Sequence, residues 1–306
     1  MQNNSLQEII IEKSKELGFN LIGFAPAVGI NKKIDKWIDS EFHASMNWMK
    51  TSLEQRRNIL EYFPKAKTVI SFGYNYYTDN NRNSNDYKIS NYAWGNDYHI
   101  ILKEKLYEII KIINIYNNDY DYRVCVDTSP VMEKYWAQKA GLGWIGKHTN
   151  LINSKIGSWF FLSEIIIDFE LKYDKPFMYD LCGSCTKCID ACPTGAIDNY
   201  ILDSNKCISY LTIEHRDSIP KSFSDNFDDW IYGCDICQEV CPWNIKYEKK
   251  SDDPNFMKRI EIENKSKIDW ENLSVEEYQK TFKKSSIKRT KYSGITRNIL
   301  FNKDGN

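Results

Sequence analysis

Eight of the nine cysteines lie between Cys182 and Cys241, and their spacing suits a metal-cluster protein. The first run is Cys182-x2-Cys185-x2-Cys188-x3-Cys192-Pro193. The second is Cys234-x2-Cys237-x3-Cys241-Pro242, with Cys207 alone between them. A tight loop with two-residue gaps presents three thiolates to one point. A cubane of four irons takes those three and a fourth from elsewhere in the chain. Zinc is the rival, since eight thiolates would serve two tetrahedral sites. It gives no reason for three cysteines at successive two-residue gaps followed by Cys-Pro. A disulfide framework has no need of this spacing either, so the thiols point to a reducing, cytoplasmic compartment. Two [4Fe-4S] clusters pass electrons one at a time. A relay inside a chain that is mostly something else implies a redox site in the remainder.

In the bacterial ferredoxin arrangement, the fourth cysteine of such a run serves the other cluster. Applied here, Cys182, Cys185 and Cys188 take Cys241, while Cys192 joins Cys207, Cys234 and Cys237. The count closes at four and four. Cys125, inside the apolar run YRVCVD, reads as a buried small hydrophobe.

The elements that must position this chemistry come mostly from the first 170 residues. Hydrophobic periodicity predicts helices over 5–17, 31–39, 52–62, 97–116 and 131–140. Strands are expected over 20–25, 68–74, 122–127 and 159–169, with a polar loop at 79–90. Strand and helix alternate, which favours an α/β domain. A lysine- and glutamate-rich connection follows the cysteines at 246–267, then one helix near 274–284 and a basic stretch.

Composition excludes several classes. The 306 residues are 42% hydrophobic, enough for a substantial core, and 41 basic side chains nearly balance 42 acidic ones. No global field steers the chain to nucleic acid. No apolar run is long enough to span a membrane, and the N-terminus does not read as a signal peptide. Aromatic residues make up 14% and belong mainly to core packing, with stacking surfaces as the alternative.

Two features of the first domain carry chemistry of their own. The stretch Gly141-Leu142-Gly143-Trp144-Ile145-Gly146-Lys147 follows a predicted helix instead of opening one, so it is a poor dinucleotide fingerprint. It is either a ligand-facing loop with one cation or a tight packing loop. Asp127, at a strand end before Thr128-Ser129-Pro130, either caps the next helix or faces a cleft as a general acid.

Taken together, VDTSPVMEKYWAQKAGLGWIGKHTNLI, GSWFFLSEI, CGSCTKCIDACPTGAI, CISYLTIE and IYGCDICQEVCPWN resemble the epoxyqueuosine reductases. The likeness covers nearly the whole chain. It implies an α+β protein in which an α/β cobalamin-binding domain (1–175) precedes a ferredoxin-like domain with two [4Fe-4S] clusters (176–250). A helical, basic tail (251–306) would pack on the core. It implies reduction of epoxyqueuosine to queuosine at the wobble position of tRNA, through cob(II)alamin and cob(I)alamin, with an external low-potential electron donor and a monomeric chain. A dehalogenase-like reductase of small molecules is the alternative. The family's acid maps onto Asp127. Its cofactor positions map onto Arg56, Tyr98, His99, Asp127, Lys147, Ser158 and Trp159.

Some positions depart from the family pattern. Asn96 stands where an arginine is usual in Y-A-x-G-R-D-Y-H, Ser163 replaces a glycine, and the helical-repeat extension of longer members is not seen. Residues 280–297 carry seven cations (Lys280, Lys283, Lys284, Lys288, Arg289, Lys291 and Arg297) and no acid, which suggests a tRNA docking face.

Overall fold

The computed structural model describes residues 5–78 and 86–305, so most of the expected polar loop, 79–85, lies outside the described residues. A four-stranded sheet forms the first core, in the order Leu21–Pro26, Thr68–Asn75, Phe160–Ile167, Tyr122–Cys125. All three neighbouring pairs are antiparallel. The parallel sheet that alternating strands and helices suggest is therefore not what forms, and the domain is α+β. The first helical excursion returns the chain antiparallel, Thr68–Asn75 against Leu21–Pro26. The second brings Tyr122–Cys125 in parallel to Thr68–Asn75, and Phe160–Ile167 then inserts between them antiparallel to both.

The strand Thr68–Asn75 is buried at all eight positions, because both faces are covered. Ile70, Phe72 and Tyr74 pack on Ile10 and on Leu102, Leu106, Ile109 and Ile113 of the helices Leu6–Glu16 and Tyr98–Tyr116. On the opposite face Val69, Cys125 and Ile166 pack under Trp136 and Ala137 of the helix Glu133–Lys139. The cross-strand row on that second face is Ser71, Glu164, Cys125.

Several expected boundaries shift for local reasons. The helix expected over 52–62 breaks into Leu53–Arg57 and Ile59–Tyr62, because Asn58 is extended and its side chain accepts the Leu60 N–H. The glycine-rich stretch closes a hairpin, Trp144–Ile145 against Leu151–Ile152. A Cβ on Gly143 would fall 2.0 Å from the Ile152 carbonyl oxygen, so only glycine admits that approach.

The segment after the cysteines is more ordered than its composition suggests. Trp270, Tyr278, Phe282, Ile287, Ile295 and Ile299 form a core with Trp94, Ile231 and Tyr232. The basic stretch continues into the helix Lys291–Gly305. Its inward side sets two amides beside Ile295 and Ile299: Asn298 donates to the carbonyls of Thr212 and Ile231, and Asn302 to that of Trp230. Among the described residues no helix is long and apolar enough to cross a membrane.

Candidate active site

One end of the first sheet opens into a cleft of about 2240 Å³, lined by Arg56, Tyr98, His99, Asp127, Glu133 and Arg289 among others. Drug-sized ligands occupy roughly 300–1,000 Å³, so this space suits a larger guest. Its far wall mixes apolar side chains, Ile30, Ile34, Trp37, Met46 and Trp48, with Lys32, Lys33 and Lys36.

Asp127 leaves the strand Tyr122–Cys125 in a left-handed conformation, φ 56°. Its carboxylate does not cap the helix Glu133–Lys139, which has no side-chain cap. It faces His99 instead, with Oδ2 3.2 Å from Nε2. The other ring nitrogen, Nδ1, lies 2.7 Å from Asp97 Oδ1, and Asp97 also caps the helix Tyr98–Tyr116 by accepting the His99 N–H. Burial opposes a charge on His99, but the hydrogen bonds to Asp127 and Asp97 outweigh it and lift the imidazole to about 9. Crowding by the cleft walls likewise disfavours charge on Asp127. The His99 hydrogen bond and charge overcome this and hold the carboxyl below its ordinary range. At neutral pH the proton of the pair therefore sits on the imidazole.

The surroundings are just as specific. Tyr98 stacks on Phe161 at 4.2 Å and on His99 at 4.0 Å. Arg56 is anchored by Ser52, 3.0 Å from its Nε, and its guanidinium is attracted to Asp127 and Glu133. Glu133 accepts the Asp127 backbone N–H at 2.5 Å. Burial, then the Asp127 charge, pushes the Glu133 carboxyl up to about 8. Beneath it Glu164 is wholly buried without a hydrogen-bond partner among the described residues, and burial drives its carboxyl well above the usual range. Asp97, Glu133 and Glu164 escaped the sequence reading. The DYH triplet, an N-cap two residues before a histidine, was the available signal for Asp97.

Three residues expected at the cofactor do not line the cleft. Lys147 is buried and its Nζ donates to the Gly183 carbonyl, inside the first cysteine loop. The Ser158 N–H and hydroxyl meet Asn244 Oδ1 at 2.6 and 3.2 Å, just beyond Cys241. Gly157 (φ 71°) permits this, since a Cβ there would lie 2.2 Å from Asn244 Oδ1. Trp159 stacks on Tyr77 in the core. Lys147 and Ser158 tie the first domain to the cysteine segment, the GSW turn meeting Asn244 of the helix Pro242–Tyr247, whereas Trp159 packs within the first core.

The cysteines gather in two groups. Burial raises the Cys188 thiol to about 11, helped by its neighbours Cys241, Cys182 and Cys185. Cys241 in turn feels Cys182 and Cys185. Burial also raises Cys237, with Cys207 and Cys192 adding to it, while Cys234 feels Cys237 and Cys207. Cys237 also feels the charge of Cys188 across the two groups. Trp144, Phe177 and Trp243 form an aromatic shell at Cys182 and Cys241. Among the described residues no three His, Cys, Asp or Glu side chains close around a single metal ion. A cubane asks for something different, four thiolates spread around four irons. All nine cysteines are free thiols.

Fold and site thus set a cleft built around the His99–Asp127 pair beside a segment rich in free thiols, and two family matches make the class an oxidoreductase. Residues 181–244 match the family model "4Fe-4S double cluster binding domain", and residues 56–128 match "Epoxyqueuosine reductase QueG, DUF1730". The epoxyqueuosine reductase of Cellulophaga algicola is 42% identical over 298 residues, covering 96% of this chain and 97% of that protein. That of Salmonella typhimurium is 35% identical, covering 97% and 79%. A crystal structure of epoxyqueuosine reductase with an epoxyqueuosine-modified tyrosine tRNA stem loop superposes with a TM-score of 0.85 at 28% identity, covering 97% of this chain and 80% of that one. The Bacillus subtilis enzyme, solved with its catalytic loop swung out of the active site, gives 0.85 at 27% identity, with the same coverage. This chain belongs to the epoxyqueuosine reductase family.

Proposed function

We propose that this protein reduces epoxyqueuosine in tRNA to queuosine, removing the epoxide oxygen as water and leaving an alkene. The observation that carries this reading is family membership along nearly the whole chain, combined with a cleft built around His99 and Asp127. The step takes two electrons and two protons. Cobalamin bound in the cleft would supply a cobalt centre that passes electrons one at a time between cob(II)alamin and cob(I)alamin, so two deliveries would be needed per epoxide. The apolar side chains of the far wall and the volume of the cleft fit a guest of that size, and Arg56, Tyr98 and His99 line the space it would fill.

The chain's own residues supply the acid. Asp127 orients the His99 imidazolium, and the pair delivers a proton to the departing alkoxide. The crossed thiol sets, Cys182/Cys185/Cys188/Cys241 and Cys192/Cys207/Cys234/Cys237, would hold two [4Fe-4S] clusters fed by an external low-potential donor. Lys147 and Ser158 would act at the junction with the cysteine segment, holding the two parts in register. The loop at Asp127 corresponds in this reading to the catalytic loop that swings in the Bacillus subtilis relative.

The test is direct. Reconstituted protein, given cobalamin, a strong reductant and epoxyqueuosine-bearing tRNA, yields a nucleoside lighter by one oxygen. Unchanged nucleoside with intact clusters and bound corrinoid would overturn the assignment.

A further inference from the structure

We propose that Glu133 is the latch of the acid loop, its carboxyl holding Asp127 in the conformation that aims the acid at His99. This rests on the reading of Asp127 as part of the proton donor. Asp127 adopts a positive φ, which aspartate accepts more readily than most residues but with which extended backbone still competes, so a tie from outside the loop fixes the choice. The loop itself offers little. Thr128 N–H turns back on Val126 O at 2.6 Å, and Val131 N–H on Ser129 O at 2.8 Å. Both ties are internal and would travel with a moving loop.

The bond from Asp127 N–H to Glu133 Oε1, at 2.5 Å, is different in kind. Glu133 opens the helix Glu133–Lys139, which Trp136 and Ala137 pin to the sheet. The loop is thus tied to a fixed element at its left-handed residue. An acid in the first turn ordinarily serves its own helix. This one reaches back six residues. Behind it the buried Glu164 adds no hydrogen bond, so the side chain's polar bond goes forward to Asp127. Glu133 is a positioning residue: it acts on the chemistry through Asp127.

The experiment compares E133A and E133Q in the full-length cluster-loaded protein. Amide exchange of segment 126–132, read by mass spectrometry without substrate, is expected to rise about tenfold in E133A. In turnover, kcat is expected to fall about a hundredfold. KM for tRNA should stay within about twofold, since the loop is not the docking surface. E133Q keeps an oxygen acceptor and should recover most of both effects, which a purely space-filling role would not predict. Unchanged exchange in E133A overturns the latch, as does E133Q exchanging like E133A. The exchange readout needs no reaction, so the latch can fail while the assigned activity holds, and the reverse.

Discussion

His99 Nε2 and Asp127 Oδ2 lie 3.2 Å apart, and the proton between them belongs to the imidazole. Asp127 alone, held ionised, is a poor acid. Backed by Asp97 on its other side, His99 carries the proton, while Asp127 sets where it points.

Replacing Asp127 with Asn tests this division. Asn tolerates the left-handed backbone nearly as well as Asp, so D127N changes charge without adding strain. Turnover of epoxyqueuosine-bearing tRNA is expected to drop about 10²- to 10⁴-fold. Visible absorption of clusters and corrinoid should be retained. Wild-type turnover by D127N would remove Asp127 from the mechanism.

The raised imidazole gives a stability signature. A histidine at about 9 in the fold and about 6.5 unfolded stabilises fully below about 6.5 and loses that contribution as pH rises through about 9. The gap in melting temperature between wild type and H99Q should therefore narrow across this range. A gap independent of pH would place the proton elsewhere.

The crossed thiol assignment is open to a double-mutant test. C241A should lose half the iron. Adding C182A should cost no more, because both serve one cluster, whereas adding C192A should remove the rest. If C182A/C241A loses all its iron instead, each run feeds its own cluster.

The basic segment divides in two. Lys288 and Lys291 are exposed, and K288E/K291E should weaken all tRNAs alike and flatten the salt dependence of binding. Arg297 is structural: its guanidinium donates to the carbonyls of His215, Asp217 and Leu211. R297A should cost about 2–3 kcal/mol of stability, measured by denaturant unfolding. Equal tRNA affinity of K288E/K291E across a salt titration would move docking elsewhere.

Legibility followed how local each signal was. Cysteine spacing is a property of short loops, so the cluster-type segment could be read directly, and residues 181–244 match such a family model. Asp127 could be singled out by its place at a strand end, but not its partner, because His99 lies 28 residues away. Strand direction depends on where long connections return, and alternation alone misled there. The helix Lys291–Gly305 was hidden by Gly294 and by Asn298 and Asn302, which share its inward side with Ile295 and Ile299 and interrupt the apolar period. Asn96 itself is held within the fold. Arg259 reaches Asn96 Oδ1 at 2.9 Å from a position far along the chain.

The two inward amides of that last helix also bear on biogenesis. Strand Trp230–Tyr232, which leads straight into Cys234 and Cys237, has its carbonyls held by Asn298 and Asn302. A growing chain makes these thiols about 65 residues before their scaffold. At about 5–20 residues per second, that delay is roughly 3–13 s. During it the thiols are exposed to oxidants and stray metal. The thiols at this end thus gain the supporting contacts of their strand only after the closing helix has been made.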